Sequence, residues 1–275
     1  MKLNRTIVVL CLLLSAVVPG IAQELPVQPE LKYVHTIAVS SATAISTDRN
    51  NAVYLLNPGR NLVHLDSLGR VVSLYSPPNG RRATSVEAWN QMKVFAFYED
   101  RQELLLLDRF FNPLSSVLLS DFGINGTIKA ATLASDDGFW LFNETDLRLA
   151  KLDINLRKLT IETPLNLILD RNRFDVRMLR EYQNMVYMLD YNGGIYVFDN
   201  LGNYKQKLPI TGASYIGFLN NELYFVKDGN LHFYDLYKQQ QRTINFPKEK
   251  KYTSALVTKN RLYLFTRKAA DVYSL

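Results

Sequence analysis

Five aspartates recur along the chain, each directly after a short apolar segment: Asp66, Asp108, Asp153, Asp199 and Asp235. A ring of carboxylates could bind a metal ion, because carboxylate oxygens are ligands for hard cations. Asp also favours tight turns, since its side chain accepts hydrogen bonds from backbone N–H groups two residues on. Asp-Ser-Leu-Gly at 66–69 and Asp-Asn-Leu-Gly at 199–202 are turn sequences in their own right. We therefore predict that these aspartates are turn residues and not metal ligands.

The three histidines, His35, His64 and His232, occupy different positions in the sequence pattern. His64 lies two residues before its aspartate, and His232 lies three before. Because successive residues of a strand face opposite sides of a sheet, these histidines are not expected to converge. We predict packed or surface histidines.

The stretch SDDGFW at 135–140 contains the residue types of the sialidase-type Asp box, Ser-x-Asp-x-Gly-x-x-Trp. The spacing differs, because Gly138 follows Asp137 directly and Trp140 comes only two residues later. The stretch also falls between the first and second strands of a repeat. It predicts a plain hairpin turn.

The elements that position these residues are six strand-like segments, each with an aromatic residue flanked by apolar ones. Their aromatic anchors are Tyr54, Phe95, Trp140, Tyr187, Tyr224 and Tyr263, spaced 41, 45, 47, 37 and 39 residues apart. Residues 186–202 are the clearest unit, since Asn192-Gly193-Gly194 can adopt the positive φ of a tight hairpin turn. Four short strands per repeat, at a period of about 40 residues, predict the blades of a β-propeller.

The sixth repeat ends without a fourth strand, whereas the strand at 33–39 belongs to no repeat. A shared blade would protect sheet edges that are otherwise exposed. We predict an all-β fold over residues 23–275, a six-bladed β-propeller of four-stranded blades whose last blade is closed by the N-terminal strand.

The units VYLLNPGRNLVHLDSLGRV (53–71) and IYVFDNLGNY (195–204) resemble bacterial six-bladed β-propeller families with NHL-like or PQQ-like repeats. The resemblance covers the whole of 23–275 and implies the fold. It implies no single activity, because such propellers include enzymes, sugar binders and protein scaffolds.

Metal-dependent lactonase-type propellers also have six blades and gather Glu, Asn and Asp ligands around the central channel. Glu87, Asp175 and Asn220 are the corresponding candidates here, although no family motif surrounds them. The sequence has no nucleophile elbow, P-loop or zinc motif. We predict no catalytic residue, no cofactor and no metal site. A metal-dependent hydrolase or lactonase, and a carbohydrate-binding propeller, stay as alternatives.

Residues 1–22 differ in composition from the rest of the chain. Lys2 and Arg5 precede an apolar run from Ile7 to Val18, and small residues stand before Gln23. This pattern predicts a secretory signal peptide cleaved after Ala22. The apolar run is too short to span a bilayer, which takes about 20 residues, so we expect no transmembrane segment in the mature chain. Cys11 is the only cysteine, so the mature chain has no disulfide.

The charge balance bears on possible partners. Loss of Lys2 and Arg5 with the leader lowers the formal net charge from +6 to +4, which is too slight to imply a nucleic-acid partner.

The longest connection between repeats, 163–174, contains four apolar residues, Leu165, Leu167, Ile168 and Leu169. They could form a partner-docking loop or fold down as local core. Our leading hypothesis is a non-enzymatic scaffold, exported to the periplasm, the outer membrane or the medium, that binds another envelope protein.

Overall fold

The computed structural model describes residues 31–90, 92–246 and 250–275. These residues form six small four-stranded antiparallel sheets arranged in a ring, which is the predicted six-bladed β-propeller. The predicted signal peptide lies outside the described residues. In the part of the chain that is described, no helix has the length and apolar character needed to cross a membrane.

The strands follow one another in chain order through the blades. Blade 1 contains β2 (Ile45–Thr47), β3 (Val53–Leu56), β4 (Leu62–Leu65) and β5 (Val71–Tyr75). Blade 2 contains β6 (Ser85–Glu87), β7 (Lys93–Tyr98), β8 (Glu103–Asp108) and β9 (Pro113–Leu118). Blade 3 contains β10 (Ile128–Leu133), β11 (Phe139–Asn143), β12 (Arg148–Asp153) and β13 (Lys158–Pro164).

The second half of the ring repeats this arrangement. Blade 4 contains β14 (Val176–Tyr182), β15 (Met185–Asp190), β16 (Gly194–Asp199) and β17 (Tyr204–Leu208). Blade 5 contains β18 (Ile216–Leu219), β19 (Glu222–Lys227), β20 (Asn230–Asp235) and β21 (Gln241–Asn245). Blade 6 contains β22 (Ser254–Val257), β23 (Arg261–Phe265), β24 (Ala269–Ser274) and, from the start of the ring, β1 (Lys32–Ala38). Short 3-10 turns occur at Pro78–Gly80, Glu99–Arg101 and Leu119–Phe122.

The N-terminal strand closes the ring as predicted. β1 pairs antiparallel with β24, from Lys32 opposite Ser274 to Ala38 opposite Ala269, so blade 6 has the order β1-β24-β23-β22. The two ends of the propeller are therefore hydrogen-bonded to each other in one sheet.

The aromatic anchors lie on the second strand of each blade, where the sequence places them. All six are buried and pack between neighbouring blades: Tyr54, Phe95, Trp140, Tyr187, Tyr224 and Tyr263. Between blades 1 and 2, for example, Tyr54 contacts Phe111 at a ring-centroid distance of 6.0 Å. The core of the molecule is thus the set of layers between adjacent blades.

The hairpin predicted at 186–202 is formed by β15 and β16. Gly194 has a φ of 111°, and a Cβ there would lie 2.6 Å from the carbonyl oxygen of Leu208. The position therefore requires glycine, because a side chain would meet both strain and backbone.

A buried carboxylate joins the closing strand to the blade it completes. Asp271 of β24 accepts hydrogen bonds from the hydroxyls of Thr36 on β1 and Tyr252, both at 2.6 Å, and from Lys250 Nζ at 2.7 Å. Burial opposes its ionisation, but the bonds from Lys250, Thr36 and Tyr252 outweigh it and hold the pKa of Asp271 below its ordinary value.

Asp271→Asn tests this link. Loss of the charge-assisted bonds is expected to lower the free energy of unfolding by about 2 kcal/mol at pH 7. Because the pKa of Asp271 is depressed in the folded state, its contribution is present above the ordinary value of 3.8 and is lost as pH falls below it. Denaturant unfolding at pH 7 and at low pH is the measurement. The difference in unfolding free energy between the variant and the wild type should be smaller at low pH.

Asp137→Asn is the matched control, because Asp137 is an exposed carboxylate paired with Lys93 on the surface. Its stability should stay within about 0.5 kcal/mol of wild type. If both variants lost the same unfolding free energy at pH 7, the role assigned to Asp271 would be contradicted.

Candidate functional site

The six inner strands β2, β6, β10, β14, β18 and β22 surround a central channel with two mouths. We call the face that carries the blade-to-blade connections the upper face, and the face that carries the turns between first and second strands the lower face. Each inner strand runs from the upper to the lower face. Two cavities open along the channel, one of 550 Å³ at the upper mouth and one of 1080 Å³ at the lower mouth.

An ion pair crosses the lower half of the channel. Arg180 Nη1 of blade 4 lies 3.4 Å from Glu87 Oε2 of blade 2, and both side chains are buried. Trp89 Nε1 donates to the same oxygen at 3.1 Å. Burial raises the pKa of Glu87, while the guanidinium of Arg180 and the nearby Thr132 hydroxyl act in the opposite direction.

A second buried carboxylate, Glu181, lies next to this pair and is satisfied by neutral donors. Trp140 Nε1 donates to Glu181 Oε2 at 2.8 Å, and the N–H of Ser135 donates to Oε1 at 3.1 Å. Both of its oxygens therefore have partners, so Glu181 ties blade 4 to blade 3.

The upper mouth has its own surface ion pairs. Asp175 Oδ2 accepts two hydrogen bonds from Arg177, at 2.6 and 3.0 Å, and Lys129 Nζ lies 2.7 Å from Glu99. These pairs are partly exposed, and such pairs contribute little to stability.

The three candidate ligands of the hydrolase alternative do not meet. Glu87 is paired with Arg180 in the lower channel, whereas Asp175 precedes β14 at the upper mouth. Asn220 lies in the β18–β19 turn on the lower face, where its carbonyl accepts from the Tyr182 hydroxyl. The seven residues of β14 separate the two faces by roughly 20 Å. Among the described residues, no group of three or more His, Cys, Asp or Glu side chains could hold a metal ion.

The repeated aspartates all lie at the turn between the third and fourth strands. Asp66 Oδ1 accepts from the N–H groups of Leu68 and Arg70, both at 2.9 Å, and Asp199 makes the equivalent bonds to Leu201 and Asn203. The Arg70 N–H bond in particular lowers the pKa of Asp66. These geometries are those of turn residues, as predicted.

The histidines lie in three different blades and do not converge. His64 stacks on Tyr54 with ring centroids 4.5 Å apart, and His232 stacks on Phe225 at 5.2 Å. His35 on β1 lies against Gly69 of blade 1. Residues 135–138 form the turn between β10 and β11, as the spacing of SDDGFW predicted, and Trp140 is fully buried.

The predicted docking loop divides into buried and exposed residues. Leu165 and Leu169 are buried in the core cluster between blades 3 and 4, and Ile168 packs against that cluster. Leu167 alone of the four is fully exposed, at 102% of its reference area. The docking role of this loop stays a prediction, and Leu167 is the residue that could carry it.

A feature that sequence reasoning missed is the asymmetry of the outer strands. The outer strands of three neighbouring blades, 6, 1 and 2, expose apolar side chains, which we call the apolar rim: Tyr33 and Val34 on β1, Val71, Val72 and Leu74 on β5, and Leu114 and Leu118 on β9. The outer strands of blades 3 to 5 expose mainly charged and polar residues, such as Lys205, Gln206 and Lys207 on β17, and Tyr204 is the large apolar side chain exposed among them. The signal in the sequence was VVSLY at 71–75, a fourth strand without a charge.

Comparison with known proteins shows the fold. No protein-family model and no curated protein sequence matches the chain. Similar solved structures include BamB from Moraxella catarrhalis (12% identity, 89% of this chain and 100% of that one, TM-score 0.52). Streptogramin B lyase (12%, 90% and 97%, TM-score 0.60) and the WD40 domain of Neurospora crassa Pan2 (10%, 89% and 95%, TM-score 0.57) are also similar. They support the β-propeller, whereas the NHL-like or PQQ-like character of the repeats stays a prediction.

Arg180→Gln tests whether the channel pair is structural. Removing the guanidinium leaves the buried charge of Glu87 without a partner, which is expected to cost about 3–5 kcal/mol of unfolding free energy at pH 7. The double variant Arg180→Gln/Glu87→Gln should recover most of that loss.

The loss in Arg180→Gln should also depend on pH. Burial raises the pKa of Glu87, and Arg180 opposes that effect. In the folded single variant the Glu87 carboxylate therefore takes up a proton as pH falls toward 4.5, and the cost of its buried charge is relieved. The destabilisation should therefore be largest at pH 7 and smaller near pH 4.5. A single variant as stable as the double one at pH 7 would show that the pair is not coupled.

Proposed function

We propose that the chain is an exported, non-enzymatic β-propeller that binds another protein of the cell envelope through the apolar rim. The observation that carries the proposal is the contrast between outer strands. The outer strands of blades 6, 1 and 2 together expose seven aliphatic and aromatic side chains, whereas those of blades 3 to 5 expose mainly charged and polar ones, with Tyr204 as the exception. Exposed apolar side chains that are grouped together, as Val71, Val72 and Leu74 are on β5, are typical of protein interaction sites.

The centre of the apolar rim is β5. Val71, Val72 and Leu74 are exposed to 66%, 59% and 49% of their reference areas. β5 is the edge strand of blade 1, so one row of its backbone N–H and C=O groups has no partner strand. Edge strands are usually protected by charged side chains, and β17 has Lys205 and Lys207 in that role. β5 has no charged residue.

This geometry favours a partner that adds an extended segment to β5. Main-chain hydrogen bonds would supply affinity, and the exposed valines and leucine would select apolar side chains. The neighbouring edge strand β9 is less suited, because Pro113 at its start has no N–H to donate.

The alternatives find less support in the described residues. A hydrolase would need its ligands at one site, and Glu87, Asp175 and Asn220 lie apart. Carbohydrate binding by stacking needs exposed aromatic faces. Trp140 is buried and Trp89 hydrogen-bonds inside the channel, and the exposed tyrosines Tyr33, Tyr204 and Tyr237 lie on three different blades. A lyase occurs among the similar structures, so the fold alone does not decide between enzyme and binding protein.

Site-specific photo-crosslinking in the native cell tests the docking proposal. A photo-reactive residue at Val72 is expected to give one dominant crosslink to a second protein, and a charged Leu74→Lys background should abolish it. Gln206, at the equivalent outer strand of blade 4, is the matched control and should give none. A photo-reactive residue placed at Leu167 tests the predicted docking loop in parallel.

Three outcomes would contradict the proposal: no crosslink from Val72, equal crosslinks from Val72 and Gln206, or crosslinks from Val72 only to a second copy of the chain. A crosslink from Leu167 without one from Val72 would move the interface to the loop between blades 3 and 4.

Export has a separate test. Protein purified from the cell envelope fraction is expected to begin at Gln23, because the residues before it match a signal peptidase site. N-terminal sequencing or intact mass measurement would show this. A chain that retains residues 1–22, or one found only in the cytoplasmic fraction, would contradict export.

A further inference from the structure

The cavity at the lower mouth has two parts of different chemistry. Its inner end lies in the channel beside Arg180 and Glu181, and its outer part is an apolar slot between blades 5 and 6. Phe218, Leu231 and Val257 are among the residues that line the slot. The volume of 1080 Å³ lies just above the range of about 300–1,000 Å³ found for small-molecule sites.

At the polar end, the acids have hydrogen-bond partners and the arginine has donors to spare. Glu181 accepts from Trp140 and the Ser135 N–H, and Asp48 Oδ1 accepts from two backbone N–H groups at 2.8 Å. Arg180 is only 7% exposed, and its described contact with an acid is the 3.4 Å approach to Glu87. A guanidinium has five N–H donors, so most of those of Arg180 are available to a ligand in the cavity.

The rim of the cavity adds positive charge. Arg49 and Lys259 line the entrance from the β2–β3 and β22–β23 turns. No ion pair involves the side chain of either residue among the described residues, whereas Arg242, farther along the slot, is paired with Glu222. An anion approaching the lower mouth therefore meets unpaired cations before it reaches Arg180.

A contact between blades 5 and 6 lies along the wall of the slot. Tyr224 lies over Gly217, where a Cβ would come within 2.1 Å of the tyrosine ring, so the ring turns in against its own blade. The Tyr224 hydroxyl accepts a hydrogen bond from the N–H of Val257 at 3.3 Å. This bridge fixes the spacing of the two blades at the inner end of the slot.

We propose that the lower cavity binds a small anionic amphiphile. Its carboxylate or phosphate group would pair with the free edge of the Arg180 guanidinium, and its apolar body would lie in the slot between blades 5 and 6. The planar fork of an arginine matches both anions in a bidentate manner. The slot supplies the apolar contact that a hydrocarbon chain needs to leave water. This site is separate from the apolar rim and does not depend on the docking proposal.

Calorimetric titration of the purified protein with four ten-carbon probes tests the proposal: decanoate, decyl phosphate, decanol and decylamine. The probes share an apolar body and differ in head group. One-to-one binding of decanoate or decyl phosphate is expected, at least tenfold tighter than binding of decanol or decylamine. Which of the two anions binds better distinguishes a carboxylate from a phosphate ligand. Absence of saturable anion binding, or equal binding of decylamine, would overturn the proposal.

Variants locate the site on the protein. The double variant Arg180→Gln/Glu87→Gln removes the anion partner without leaving a buried charge, and should weaken decanoate binding at least tenfold. Lys129→Gln is the matched control, because it removes a cation from the opposite mouth of the channel, and should leave binding unchanged.

A second pair of variants avoids the buried pair altogether. Val257→Phe narrows the slot and should weaken binding of decanoate, while Lys259→Glu at the entrance should weaken binding of both anions and leave that of decanol unchanged. Unchanged affinity in the double variant and in Val257→Phe, each shown by circular dichroism to be folded, would contradict this site.

Discussion

The pairing of β1 with β24 is the constraint on which the rest of the molecule depends. A propeller has no core of its own in any single blade, because each blade buries its aromatic residues against the next one. Without β1, blade 6 would have three strands and β24 would become an unpaired edge strand. The hydrogen bonds from Lys32 to Ala38, and the carboxylate of Asp271 behind them, hold the first and last strands together. Closure therefore stabilises every interface between blades.

Closure also determines what the channel can contain. Six inner strands converge on one axis, so polar groups at their lower ends lie close enough to pair across blades. Arg180 meets Glu87 across the channel, the Tyr215 hydroxyl reaches the carbonyl of Ile45, and the Ala88 N–H reaches Ser46. These contacts join the inner strands around the channel, beside the lower cavity, whereas the apolar rim lies on the outer strands.

The architecture was readable from sequence because its signals are local and repeated. The period of the aromatic anchors, the Asp turns and the unpaired strand at 33–39 each follow from strand and turn chemistry. The pairing of Arg180 with Glu87 was not readable, since the two residues are 93 positions apart and no pattern links them. The burial of the leucines at 165–169 was not readable either. Leu165 is buried and Leu167 is exposed, although both are leucines in the same apolar loop.

Hydrogen exchange measured by mass spectrometry tests ring closure most directly. If β1 is an integral strand of blade 6, the amides of 32–38 that pair with β24 should exchange as slowly as those of the outer strands β13 and β17. Asp271→Asn should then speed exchange in β1 and β24 more than in blade 3. Fast, unprotected exchange across 32–38 in a chain whose other five blades are protected would contradict the account.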